Sequence, residues 1–272
     1  MDLILMLEDE ARRRNLSPRT IETYIFCTRK FLKWYSNDIN KVKKTDIKEF
    51  MTYLINKKLT GSTLNVYVSA LKFLLEEVIY SRVMLKVKYP KTPKTIPIFL
   101  TKEETTRLIN SIKNPKHKLI VEMMYSAGLR VSEVTNINIQ DINLNAKIGY
   151  VRKGKGNKDR IFIIADKLVE KIGKYALILN INEGCLFKGR NGKLSIRTIQ
   201  EIVKKAAKKA GINKNVHCHT LRHSFATHLI ENGYDVASVQ SLLGHTSAKT
   251  TMIYVHMANP KIINVKSPYD SI

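Results

Sequence analysis

The stretch His219–Tyr254, HTLRHSFATHLIENGYDVASVQSLLGHTSAKTTMIY, decides how the rest of the chain is read. His219 and Arg222 stand three residues apart, and three helical steps of about 100° bring their side chains onto one face. Leu221, Phe225 and Leu229 recur every fourth residue and supply an apolar stripe that can anchor the same helix in a core. Gly233, Tyr234 and Asp235 read as a helix stop followed by a new N-cap, and Ser247 reads as another N-cap after Gly244. Tyr254 then falls near the end of a short helix, nine positions after His245.

The chemistry of these groups points to an oxyanion. An arginine donates two parallel hydrogen bonds to a phosphate, and an imidazolium adds a further donor of the same sign. A phenol, with a pKa near 10, attacks at neutral pH only beside cations that favour the phenolate or a base that takes its proton.

The pattern H-x-L-R-H-S-F-A-T-H-L, followed by L-L-G-H and then I-Y, resembles the tyrosine recombinases, and most closely those of Xer type. Upstream, Ser126-Ala-Gly-Leu-Arg-Val-Ser-Glu-Val134 resembles the family's first arginine motif, which implies roles for Arg130 and the accompanying Glu133. Gly154-Lys-Gly-Asn-Lys-Asp-Arg160 resembles the hairpin that carries the family's lysine, which implies that role for Lys155. The resemblance thus implies a catalytic set of Arg130, Lys155, His219, Arg222, His245 and Tyr254, supported by Glu133. It implies attack by Tyr254 on one DNA phosphate, a 3′-phosphotyrosine and a free 5′ hydroxyl, with Lys155 protonating the departing oxygen. His223, four residues after His219, is expected to be a buried supporting residue outside that set.

Composition agrees with a nucleic-acid partner. The net charge of +24 and pI near 9.9 favour a polyanion. Residues 1–88 hold 17 Lys+Arg and 10 Asp+Glu, the remainder 30 and 13, so both parts should touch it and the second should grip harder. No apolar run reaches the roughly 18 residues of a spanning helix, and Met1-Asp-Leu-Ile-Leu-Met-Leu-Glu-Asp-Glu10 turns acidic too early for a signal segment. Three scattered cysteines suit a reducing cytosol, so a cytoplasmic, DNA-associated protein is expected.

Residues 89–98, with three prolines in eight positions, read as an extended linker. Before it, residues 1–88 read as a small all-helical domain: helices at 2–14, from Pro18 after the Ser17 cap through Tyr35, from Thr45-Asp46, and from Gly61-Ser62-Thr63 to about Tyr80. The resemblance makes this a core-binding, SAM-like domain that clamps one face of the DNA. After it, residues 99–272 read as a catalytic domain with a C-terminal tail. Thr101-Lys-Glu-Glu104 is a capping box. Helices continue to about Ala127 and around Ser132–Asn136, with others at Asp166–Leu179 and Ser195–Ala210. Alternation from Ile137 to Val151, and Arg160 to Ile164, predicts a short antiparallel set. The fold class is mainly α with a small antiparallel β-sheet, in two domains.

Other motifs are discounted. Gly154–Lys158 lacks the spacing of a nucleotide loop, and His217-Cys218-His219 cannot aim all three side chains at one ion, so neither cofactor nor metal is expected. Lys153 and Lys158 lie close enough to Lys155 to be confused with it. His117, His228 and His256 read as structural or solvated.

The expected partner is double-stranded DNA. Strand exchange needs two sites, which the family serves with four protomers, and the tail Val255–Ile272, carrying Ile262, Ile263 and Val265, is expected to dock on a neighbour. The function expected is resolution of chromosome dimers at a dif-like site, in chromosome partition and cell division, with a translocase or second recombinase left open. Three alternatives remain: an integrase or resolvase of a mobile element, of which a phage type is mildly disfavoured by the lack of room for an N-terminal arm-binding domain; a catalytically inactive DNA-binding relative; and a topoisomerase of similar chemistry.

Overall fold

The computed structural model describes residues 2–81, 83, 90, 97–152, 159–189, 192–244, 251–252 and 254–255. The linker residues 89 and 91–96, the turn 153–158, the segment 245–250 with its Ser247 cap, and the tail from residue 256 lie outside the described residues. The chain divides into two compact units, Met1–Lys94 and Thr95–Ile272.

In the first unit, α1 (Leu3–Arg13), α2 (Pro18–Trp34), α3 (Lys44–Asn56) and α4 (Gly61–Lys72) follow in order. Side-chain oxygens satisfy the orphan amides at their starts: Asp2 accepts from Ile4 at 2.9 Å, Ser17 from Thr20 at 3.2 Å, and Thr60 from Thr63 at 3.4 Å. The third helix begins one residue earlier than Thr45, because the Asp46 carboxylate reaches back to the Lys43 amide at 2.8 Å. Stacked and edge-on rings of Phe31, Trp34, Phe50 and Tyr67 form its centre.

α4 does not run on to Tyr80 as a regular helix. Phe73–Val78 form a π-helical segment. The wider turn lets Phe73, Leu74 and Val78 face a cluster with Leu7 and Ala11, while Leu75 faces the ring cluster, so nearly every apolar side chain in the segment is buried.

In the second unit, α5 (Lys102–Asn110) opens on the anticipated capping box, with Thr101 Oγ1 accepting from Glu104 N–H at 3.2 Å and Glu104 Oε2 accepting from Thr101 N–H at 2.8 Å. Then come α6 (Pro115–Ser126) and the single turn α7 (Val131–Val134). β1 (Ile142–Asn143), β2 (Ile148–Val151) and β3 (Arg160–Ile163) form an antiparallel sheet in that order, with Val151 opposite Arg160. α8 (Asp166–Ile178), the hairpin β4 (Lys188–Gly189) and β5 (Gly192–Lys193), α9 (Ile196–Lys209), α10 (Cys218–Glu231) and α11 (Val236–Leu243) complete it.

Ile137 and Ile139 are not in the sheet despite their alternation. Their backbone pairs instead with residues 184–186: Ile139 N–H donates to the Gly184 carbonyl and Leu186 N–H to the Ile137 carbonyl, each at 2.9 Å. The partner lies more than forty residues away, so no local pattern could announce it.

α6 buries Leu119, Ile120, Val121, Met123 and Met124, and α10 lies against it with its anticipated stripe inward. Leu221 joins the main core, and Phe225 joins a second cluster with Ala226, Val239, Leu243 and Tyr254. Burying each such side chain contributes about 1.5–3 kcal/mol, which fixes the helix that carries His219 and Arg222. No helix among the described residues is long and apolar enough to cross a membrane.

Candidate active site

α10 begins where His217 N–H donates to Thr220 Oγ1 at 3.2 Å and the two side chains bond at 2.6 Å. His219 lies in the first turn, exposed, while Arg222 one turn on is 3% exposed. The pair shares a face, as the spacing predicts, but at different depths.

Arg222 is more committed than a freely offered phosphate ligand. Its Nη1 donates to the Gly128 carbonyl at 2.7 Å, and its Nη2 donates to the Leu243 carbonyl at the end of α11. Burial, then the like charge of Arg130, brings its pKa down to about 10, so it stays cationic at neutral pH. Gly128 has φ +57, and a Cβ there would lie 2.4 Å from Phe225 Cδ1, so the carbonyl that holds Arg222 is delivered by a residue that must be glycine.

Arg130 starts α7. Its backbone N–H donates to Glu133 Oε2 at 2.8 Å and its Nη1 to Oε1 at 2.5 Å. The Glu133 side chain is 4% exposed and receives more than Arg130: Arg160 Nη2 donates to Oε2 at 2.7 Å, and Arg222 Nη1 stands 3.9 Å from the same oxygen. Burial would raise this carboxyl, but the charges and hydrogen bonds of Arg160 and Arg130 together outweigh it and hold the group below its ordinary value. Three guanidiniums thus converge on one carboxylate and leave an excess of positive charge.

His219 lies beside that cluster. Partial desolvation, then the charge on Arg222, lowers its pKa below the ordinary 6.5. The like charges around it therefore disfavour the imidazolium, and an anion held between the arginines would favour it.

Tyr254 occupies helical backbone and is 3% exposed. Burial raises its phenol pKa, and the charges of Arg222 and then Arg130 oppose the rise, so the phenol feels the arginine cluster. The hydroxyl is hydrogen-bonded to His223 Nδ1 at 3.0 Å. The resemblance makes His223 a buried supporting residue outside the catalytic set; the structure leaves it half-buried, and its contact with Tyr254 is what the sequence did not announce. Lys155 and His245 lie outside the described residues.

Burial, then His219, pushes His223 down to about 4 from 6.5. Across that window the unfolded chain holds more of this proton than the folded one, so this histidine's contribution lowers stability as pH falls from 6.5 towards 4. An NMR titration of the DNA-free protein should find the His223 ring neutral down to about pH 4; a midpoint near the ordinary value would show that the site is wetter than its packing implies.

Residues 98–260 match the Phage integrase family, and residues 3–84 match the Phage integrase, N-terminal SAM-like domain. The chain is 36% identical over 264 residues to a tyrosine recombinase of Thermosipho africanus, spanning 92% of each. It is 37% identical over 253 residues to tyrosine recombinase XerA of Pyrococcus horikoshii, spanning 91% of this chain and 85% of that one. In fold it resembles the XerH site-specific recombinase solved in a post-cleavage complex with palindromic difH substrate, with a TM-score of 0.78 and 22% identity over 94% of this chain and 82% of that one. With the profile of the catalytic region and full-length relatives in agreement, the chain belongs to the phage integrase family, the tyrosine recombinases, enzymes that cleave and rejoin DNA.

Proposed function

We propose that this recombinase acts on double-stranded DNA at a specific, dif-like site and resolves chromosome dimers there, as a tetramer that joins two sites. The observation that carries the chemistry is the cluster of Arg130, Arg160 and Arg222 around Glu133, with the Tyr254 phenol inside the field of two of its members.

A DNA phosphodiester placed against Arg130, Arg222 and His219 meets donors that are already oriented, and the extra negative charge of the pentacoordinate state is stabilised without reorganisation. Tyr254 Oη bonds to phosphorus as the bond to the 5′ oxygen breaks. Lys155 gives that oxygen its proton, and His245 bonds the phosphate. With its own proton on Nε2, neutral His223 offers Nδ1 as an acceptor for the phenol's hydrogen. The phosphotyrosyl link keeps the energy of the diester, so a second 5′ hydroxyl can reverse the step on another strand without ATP. The helical domain, residues 1–88, adds cations to the grip, and 89–98 link it to the catalytic part, residues 99–272. The XerA relative and the difH-bound XerH support the choice of site, and the +24 charge supports the polyanion.

The test is a nicked suicide duplex in which the released strand diffuses away. The protein should form a covalent 3′ adduct, and sequencing DNA trapped in the same way from the chromosome should return one short, near-palindromic site. Absence of any adduct would overturn the catalytic assignment; trapped ends of a mobile element would replace the chromosomal role.

A further inference from the structure

We infer that Arg160 is a positioning residue of the cleavage site, locking the end of α11 and Glu133 to the sheet, with Gly244 as the glycine that lets it pass. The inference rests on the assignment of Arg130, Arg222 and Tyr254 made above.

Arg160 opens β3, and its side chain is only 8% exposed. Such a residue at a strand start ordinarily points to water; here it runs inward. Nη1 donates to the Leu242 carbonyl at 2.5 Å and Nη2 to Glu133 Oε2 at 2.7 Å. The carbonyls of Leu242 and Leu243 are among those that a helix leaves unsatisfied at its C-terminus, where cations are favoured. Arg160 takes the first, and Arg222 takes the second. Both guanidiniums lie beside the same carboxylate oxygen, so the end of α11 and the pivot of Arg130 are set by one charge network.

Gly244 follows directly, with φ +61 and ψ 47. A Cβ there would lie 2.7 Å from Arg160 Cδ, so glycine is required twice, by the backbone and by the arginine stem beside it. This is where the chain leaves α11 toward His245 and Tyr254. An error in that exit moves the nucleophile, and a displacement of about 1 Å can cost roughly 100-fold in rate. Lysine cannot replace the fork, because one ammonium does not reproduce two planar donors aimed at different elements.

The experiment compares Arg160→Met, Arg160→Lys and Gly244→Ala with the unaltered protein on the suicide duplex, measuring the adduct rate at saturating DNA, DNA affinity and thermal stability. A control, Leu168→Ala, lowers stability from the core of the same unit. For Arg160→Met and Gly244→Ala the rate should fall by about 100-fold with unchanged DNA affinity, and for Arg160→Lys by about 10-fold. The control, although destabilised, should cleave at the unaltered rate below its melting temperature. Arg160→Lys and Gly244→Ala decide the matter if Arg160→Met does not fold. Variants cleaving at full rate, or losing rate no more than Leu168→Ala at equal stability, would overturn the inference. No adduct from the unaltered protein would instead sink the catalytic assignment on which it rests.

Discussion

Tyr254→Phe should bind DNA as tightly as the unaltered protein and form no covalent adduct. The substitution removes one oxygen and keeps the ring, which packs with Phe225, Ala226, Val239 and Leu243. Its structural cost includes the hydrogen bond to His223 at 3.0 Å, worth about 0.5–1.5 kcal/mol. Its chemical cost is the whole covalent route, and loss of a nucleophile acting within a constellation lowers turnover by roughly 10⁴-fold or more. The adduct is read on a denaturing gel, and affinity by band shift at fixed salt, since phosphate contacts make binding strongly salt-dependent. An adduct surviving in Tyr254→Phe would move the nucleophile to another of the twelve tyrosines. His223→Phe gives the complementary case: the nucleophile remains but its hydrogen bond to His223 is gone, so the rate should fall and its pH dependence should change.

What the sequence made legible follows from how far apart the interacting residues lie. The inward stripe Leu221 and Phe225, the capping box at Thr101 and Glu104, and the proline opening of α2 depend on neighbours within four residues, and each appears as read. The π turn at Phe73 was hidden because its cause is tertiary: one segment is divided between two clusters. Arg222 could be singled out by its motif, yet its burial could not, because its carbonyl partners belong to Gly128 and Leu243, 94 and 21 residues away. Arg160 read as the first residue of a strand. Its destination, the end of α11, is 82 residues on, and Gly244 looked like an ordinary helix stop. The motif announced Arg130 and its accompanying Glu133, but not that a third arginine, Arg160, reaches the same carboxylate.

Glu133→Leu should cost the second unit about 3–5 kcal/mol, the scale for leaving buried charge without its partner. Leucine fills similar space, so packing is not the main loss. What disappears is the counter-charge of Arg160 and Arg222, whose side chains are 8% and 3% exposed, and both acceptors of Arg130. The like charges then face one another out of water. The pH dependence separates this cause from a simple packing defect. The folded Glu133 carboxyl lies below its ordinary 4.5, with Arg160 and Arg130 together overcoming burial. Its contribution is therefore full above pH 4.5 and fades as pH falls through the folded value, so the gap between unaltered protein and variant must narrow in acid. Urea unfolding followed by far-UV circular dichroism measures the gap. Trp34, the one tryptophan, lies in the first unit, so its fluorescence is an internal control that should not move. Equal urea midpoints at neutral pH, or a gap constant from neutrality to pH 3, would show that the three guanidiniums are stable without the carboxylate.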